Sequence, residues 1–180
     1  MVELIASLLP KEGLVLELAA GDHSFELAER FGQLVWQLTD RDLDVVAQLA
    51  ARREQANVPN MLRPLELDPT VDPWPVTQAD FVTCIDLVNR VPLDIVHAMF
   101  AGASRALPAN ARLLVTSPLR FHGKFTSPAT AELDRTLRSR DGAVRDIREL
   151  VAAGTRAGFA FEHMTALPED HHALVFRRRF

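Results

Sequence analysis

The chain has 180 residues, 48% of them hydrophobic and 24% charged, enough to build a core without disulfide or metal staples. A formal charge of −4 argues against a dedicated nucleic-acid binder. The single cysteine, Cys84, excludes an intrachain disulfide framework and fits a reducing, cytoplasmic setting. By the usual length prior this is one domain over residues 1–180. Val2 to Leu9 reads as a short helix over the sheet edge, ended by Pro10. Its apolar run is too short to span a bilayer, and no basic segment precedes it, so no membrane is expected as a partner.

Leu14 to Leu18 reads as a buried parallel strand, mostly apolar because both faces are covered. Ala19-Ala20-Gly21 turns the chain and lets a ligand approach the backbone. Ser24 to Phe31 has helical spacing, and the start of that helix points free amide groups over the turn. A second strand, Leu34 to Leu38, delivers Thr39-Asp40, and a helix follows from Asp42 to Glu54. The pattern predicts a third strand over Leu62–Leu67, ended by Asp68, and then a proline-rich loop. A fourth strand is expected over Ala79–Val88, with Asp86 near its C-terminal end.

Leu93 to Leu107 carries Ile95, Val96, Met99, Phe100, Ala103 and Leu107 at helical spacing. Arg112 to Thr116 is the fifth strand, which Ser117-Pro118 is expected to stop; Leu119 to Phe125 then reads as an irregular basic loop with Arg120, His122 and Lys124. Ser127-Pro128 starts a helix to about Arg140, in which Asp134 and Arg138 can pair across one turn. Asp146 caps a last helix, and Phe159–Ala166 and Ala173–Arg178 close the chain as two strands. Alternating strands and helices imply a doubly wound, Rossmann-like parallel sheet, and the short final connection makes the last pair antiparallel. Ligands in such sheets sit over the C-terminal strand ends. That edge collects Glu17, Asp40, Asp68, Asp86 and Ser117.

Asp40 lies nineteen residues after Gly21, at the end of the second strand, where an acid holds a ribose diol. A dinucleotide pyrophosphate would meet Asp22 at the helix start, and His23 stands where a third glycine is usual. S-adenosylmethionine has no phosphate and carries a cationic sulfonium, so it tolerates Asp22; helix N-capping is the plainer reading of that aspartate. Glu17 followed by small residues resembles the Glu-x-Gly-x-Gly-x-Gly turn of class I methyltransferases, with Ala19 at the first glycine and Gly21 at the second.

Leu16 to Gly21, Trp36 to Asp40, Leu65 to Asp68 with Trp74-Pro75, Gly102-Ala103, Gly123 to Thr126, Leu133-Asp134, Val144 to Asp146 and Leu174 to Arg177 together resemble the DUF938 family, the methyltransferase-like 26 proteins. The resemblance implies a seven-stranded class I methyltransferase fold with a C-terminal antiparallel hairpin, S-adenosylmethionine as cofactor and a small-molecule acceptor; a homodimer stays open. The cofactor-side candidates, from the turn and the strand ends together, are Glu17, Ala19, Gly21, Asp22, Asp40, Asp68 and Asp86. The chain departs from the family pattern at Asp22-His23, at Asp86-Leu87, at Asn89, at Thr116-Ser117, at Ala129-Thr130 and at Asp170-His171, all near the ligand edge.

Methyl transfer is an in-line displacement in which the protein positions the acceptor and excludes water. An oxygen or nitrogen acceptor also calls for a general base. His122 is the preferred base, ahead of Asp86, His23 and His171, because a loop after the fifth strand can act as a lid. No metal site is expected, since nothing is spaced to complete one around His171-His172. Two alternatives stand beside the methyltransferase: a catalytically silent descendant that binds the cofactor or a protein, and a nicotinamide-dependent Rossmann-like enzyme.

Overall fold

In the computed structural model, which describes residues 2–180, the apolar run after Gly13 is strand β1 (Gly13–Leu18), with Val15 to Leu18 wholly buried. It pairs in parallel with β2 (Leu34–Asp40) on one side and β4 (Phe81–Ile85) on the other. Beyond β2 lies a short β3 (Leu65–Glu66); beyond β4 come β5 (Arg112–Phe121), β9 (His171–Arg178) and β8 (Phe159–Ala166). The order β3-β2-β1-β4-β5-β9-β8 is the expected doubly wound sheet, mostly parallel, with β9 antiparallel to both β5 and β8. Two short strands, β6 (Lys124–Phe125) and β7 (Arg145–Asp146), add to the far end of β5.

Side chains alternate across each strand, so one sheet feeds two cores. On one face Val15, Trp36, Phe81, Leu114 and Val175 pack with Ile5 of α1 (Val2–Leu8), Phe25 and Leu27 of α2 (His23–Arg30) and Leu49 of α3 (Leu43–Ala56). Ile5 is fully buried, so α1 covers this face rather than an edge. On the other face Leu16, Leu18, Val82, Leu113 and Phe176 meet Val96, Met99 and Phe100 of α5 (Leu93–Ala106) and Leu150 of α7 (Ile147–Arg156). Phe100 stands edge-on to Phe159 and Phe176, with centroids 6.1 and 5.1 Å away, the favoured aromatic arrangement.

The larger differences from the sequence reading fall in the third, fourth and fifth strands. The third strand shrinks because Met61 makes only an isolated bridge to Trp36 and Pro64, lacking an N–H, interrupts the ladder. The fourth ends at Ile85: Asp86 takes a left-handed φ of 59° and opens a short helix α4 (Leu87–Arg90). The fifth runs through Ser117-Pro118 to Phe121. Its pairing with β4 finishes at Thr116, so one side of the strand carries no ladder there, and a proline is tolerated. The supposed loop after it is a hairpin, turned at His122 and Gly123, both with positive φ. Helix α6 (Pro128–Arg138) starts at the Ser127 cap as expected, and Arg138 Nε donates to Asp134 at 2.6 Å.

Candidate functional site

The first strand ends at Leu18, and Ala19 after it holds a left-handed φ of 54° that glycine adopts more cheaply. Ala20 N donates to Thr39 O at 3.0 Å and Thr39 Oγ1 donates to Glu17 O at 2.8 Å, which ties the ends of β1 and β2 together. Over them opens a cavity of about 320 Å³, lined by Ala19, Asp40, Val45, Leu67, Leu87 and Val91 among others. Asp40 Oδ1 accepts the Asp42 N–H at 2.8 Å, and Asp42 in turn caps α3. Leu67 and Pro69 line the cavity on either side of Asp68. The Thr70 backbone N–H and hydroxyl both bond Asp68 Oδ1, at 2.8 and 2.7 Å, and hold that carboxyl below its ordinary pKa.

Glu17 and His23 form the second part of the edge. Strand alternation turns the Glu17 side chain into the core beneath α2, where it is fully buried. His23 Nε2 bonds Glu17 Oε1, while Glu17 Oε2 has no hydrogen-bond partner. Burial lowers the His23 pKa, but the Glu17 hydrogen bond and charge, helped by the Asp86 charge, outweigh it and raise the value. The same ring occupies the space beside Gly21, 3.3 Å from where a Cβ there would stand.

Asp22 is turned away from this group. It occupies the N-cap position with a helical φ of −61° and makes no side-chain cap, contrary to the plainer reading. Ser24 closes the turn instead, its hydroxyl donating to Gly21 O at 2.6 Å. The Asp22 carboxylate is 86% exposed and pairs with Arg52, whose guanidinium lies 4.5 Å from the Phe25 ring centre.

Asp86 sits at the end of β4 with Oδ1 3.0 Å from His171 Nε2. Both are positions where the chain departs from the family pattern, and the fold makes them partners. Asp170 likewise meets Thr130, another departure, at 3.2 Å, and Ser127. Asn89 is buried and braces the same region, donating to Pro118 O at 2.7 Å and accepting from Arg145 N at 3.0 Å. His122, preferred as base on sequence grounds, is at the exposed tip of the β5–β6 hairpin and lines neither this group nor the cavity over the ends of β1 and β2. A larger cleft of about 550 Å³ lies beside that hairpin, where Arg148 pairs with Asp146, Arg120 with Glu149, and Arg156 hydrogen-bonds His97.

The residues the sequence reading missed are mostly apolar or on α4: Val45, Leu87, Arg90 and Val91. Val45 looked like an ordinary helix position, and α4 was hidden inside the strand expected over 79–88. Among the described residues no group of three or more His, Cys, Asp or Glu could hold a metal ion. No helix among them is long and apolar enough to cross a membrane.

This sheet order defines an α/β protein of the Rossmann-like methyltransferase fold. The family profile described as "Protein of unknown function (DUF938)" matches residues 1–178, and the chain belongs to that family. Among solved structures it is similar to an O-methyltransferase family 2 protein from Planctomyces limnophilus in complex with apigenin (TM-score 0.82, 19% identity, 98% of this chain and 56% of that one). It is similar to an O-methyltransferase family protein from Burkholderia thailandensis (0.81, 15%, 99% and 55%). It is also similar to human N-acetylserotonin methyltransferase in complex with SAM (0.78, 16%, 93% and 48%). The chain thus spans about half the length of these structures.

Proposed function

We propose that the protein is an S-adenosylmethionine-dependent methyltransferase acting on a small molecule. The observation that carries this is the cavity itself: Val45, Leu67, Leu87 and Val91 give it apolar lining, and Asp40 lines it beside them. An adenosine needs those two things, a flat apolar slot and a carboxylate for its ribose hydroxyls. The fit test has a second part. Glu17 Oε2 is a buried acceptor without a donor, and a ligand ammonium is the natural group to complete it.

In this reading Asp40 holds the ribose, Asp68 stands by the base, and Ala19 and Gly21 give the backbone approach. Glu17, and Asp86 from the next strand end, face the amino-acid end. Asp22 acts only through the field around the turn, because its charge is already matched by Arg52. His122 would reach an acceptor only if the hairpin bends over the edge. When bound, the cofactor supplies an electrophilic methyl on a sulfonium; the protein's part is to align the acceptor and keep water out. The structural relatives include O-methyltransferases and a methyltransferase in complex with SAM, which agrees with this reading.

The second reading, a silent protein of the same fold, draws on His23, whose ring sits on Glu17 beside Gly21 where the cofactor's amino-acid end would go. Thermal melting and calorimetry with S-adenosylhomocysteine and with NAD test both. At a ligand excess of 100 times Kd, binding stabilises by about 2.7 kcal/mol, or about 5–11 °C in a domain of this size. S-adenosylhomocysteine should give that shift and NAD none. Absence of any response to S-adenosylhomocysteine overturns the proposal.

A further inference from the structure

A second, smaller cavity of about 200 Å³ lies over the ends of β4 and β5. Pro118, Leu133 and Leu137 form its apolar walls, and Asp86, Ser117 and His171 its polar ones. Arg90 lines both this cavity and the cofactor-sized one, so the two adjoin.

Two features set it apart from an ordinary surface dent. Ser117 is 1% exposed, and its Oγ has no hydrogen-bond partner. A buried hydroxyl left unpaired is costly, and a ligand in the cavity it lines would relieve that. The second feature is the setting of His171. Its Nδ1 lies 2.9 Å from Glu169 O and its Nε2 lies 3.0 Å from Asp86 Oδ1. Both neighbours accept hydrogen bonds. A ring with one proton can satisfy only one of them; with that proton on Nδ1 for the carbonyl, Nε2 faces the carboxylate bare. A proton arriving at Nε2 completes the set. The side chains of His171 and Asp86 are 29% and 30% exposed, so a ligand can reach them. The turn that carries the ring is clamped to the start of α6, where Asp170 accepts from Ser127 and Thr130.

We propose that this cavity is the methyl-acceptor site, and that His171, oriented by Asp86 and the Glu169 carbonyl, is the base for a small acceptor with an acidic hydroxyl, a phenol or an enol. This rests on the methyltransferase reading above. The hydroxyl oxygen supplies the electron pair of the new bond to the transferred methyl. The pair of the broken carbon–sulfur bond stays on sulfur, and the hydroxyl proton passes to His171 Nε2, where Asp86 stabilises it. Arg90 decides between oxygen and nitrogen acceptors. It makes no ion pair among the described residues, so its charge is available to hold a developing oxyanion and would repel an ammonium. The cavity's size and its Leu133 and Leu137 walls suit a single ring.

The probe is 4-nitrophenol, whose ionisation is read from its visible absorbance, titrated into the full chain with and without S-adenosylhomocysteine. The wild type should bind it as the phenolate and favour its ionisation at least tenfold over solution. His171→Gln should abolish that shift. Asp86→Asn should retain probe binding but lose most of the shift, which a merely structural role would not do. Circular dichroism checks that both variants stay folded. Binding as the neutral phenol, no binding, or an unchanged shift in both variants overturns the inference. Calorimetry with S-adenosylhomocysteine on the same samples separates the two proposals. Cofactor binding without a probe shift defeats this one alone, and a probe shift without cofactor binding supports the base and defeats the methyltransferase reading.

Discussion

Replacing His23 with glycine should tighten cofactor binding while weakening the free protein. The ring bonds a buried Glu17 and fills the space beside Gly21, so a ligand ammonium reaching Glu17 must displace it. A hydrogen bond to a charged group is worth about 1.5–3 kcal/mol. Removing the competitor should therefore tighten S-adenosylhomocysteine about 10- to 100-fold. The same loss leaves Glu17 buried without a donor, and should lower the unliganded melting temperature by about 3–12 °C. The effect has a pH signature. The folded-state His23 pKa is raised above its ordinary 6.5, so the stabilisation from the His23–Glu17 pair is complete below that value. It is lost as the pH rises through the folded-state value. Wild-type affinity should thus climb toward that of His23→Gly with rising pH, while the gap in melting temperature narrows. Asp22→Thr alone should change binding less than twofold, because Asp22 is exposed and already pairs with Arg52. Calorimetry and melting curves between about pH 6 and 9, above and below the ordinary histidine value, measure all of this. A His23→Gly protein that binds no tighter and keeps the wild-type pH dependence would refute the reasoning.

Asp40→Ala should weaken S-adenosylhomocysteine at least tenfold by calorimetry; since Asp40 Oδ1 also accepts the Asp42 N–H, a fall of about 1 kcal/mol in stability should accompany it, and unchanged affinity would remove Asp40 from the site. Asp146→Ala should cost about 1–3 kcal/mol in urea denaturation, through loss of the α7 cap and of the Gly123 N–H bond that anchors the hairpin at 2.7 Å. Arg148 and the backbone N–H groups of Gly123 and Arg148 hold the Asp146 carboxyl far below its ordinary 3.8, so its contribution persists above that value and fades as the pH falls through the folded-state one. Gly102→Ala would place a Cβ 2.0 Å from the buried Trp74 ring and should destabilise by about 1–3 kcal/mol, read from the shift in urea midpoint at unchanged slope.

The sheet was legible because its signals are local. An apolar strand, a small-residue turn and helical spacing lie within twenty consecutive residues around Val15–Phe31, and the chain repeats that grammar through the fifth strand. Asp40 was singled out the same way, by a spacing along one βα unit, and the structure places it in the lining of the cavity over the strand ends. The short connection after Ala166 was enough to make the final pair antiparallel. What the sequence could not decide was which side chains meet. His23 looked like bulk in a turn; strand alternation turned Glu17 inward beneath it and made the two hydrogen-bond partners. Asp86 and His171 are 85 positions apart and carry no common pattern, yet β5 and β9 bring them within 3.0 Å. Pro118 read as a stop, and only the missing ladder on one side of β5 let the strand pass through it and carry His122 away on a hairpin. Periodicity reports the burial of a residue relative to its neighbours in the chain. The partners across the sheet edge depend on strand order and register, and those are settled only when the whole sheet packs.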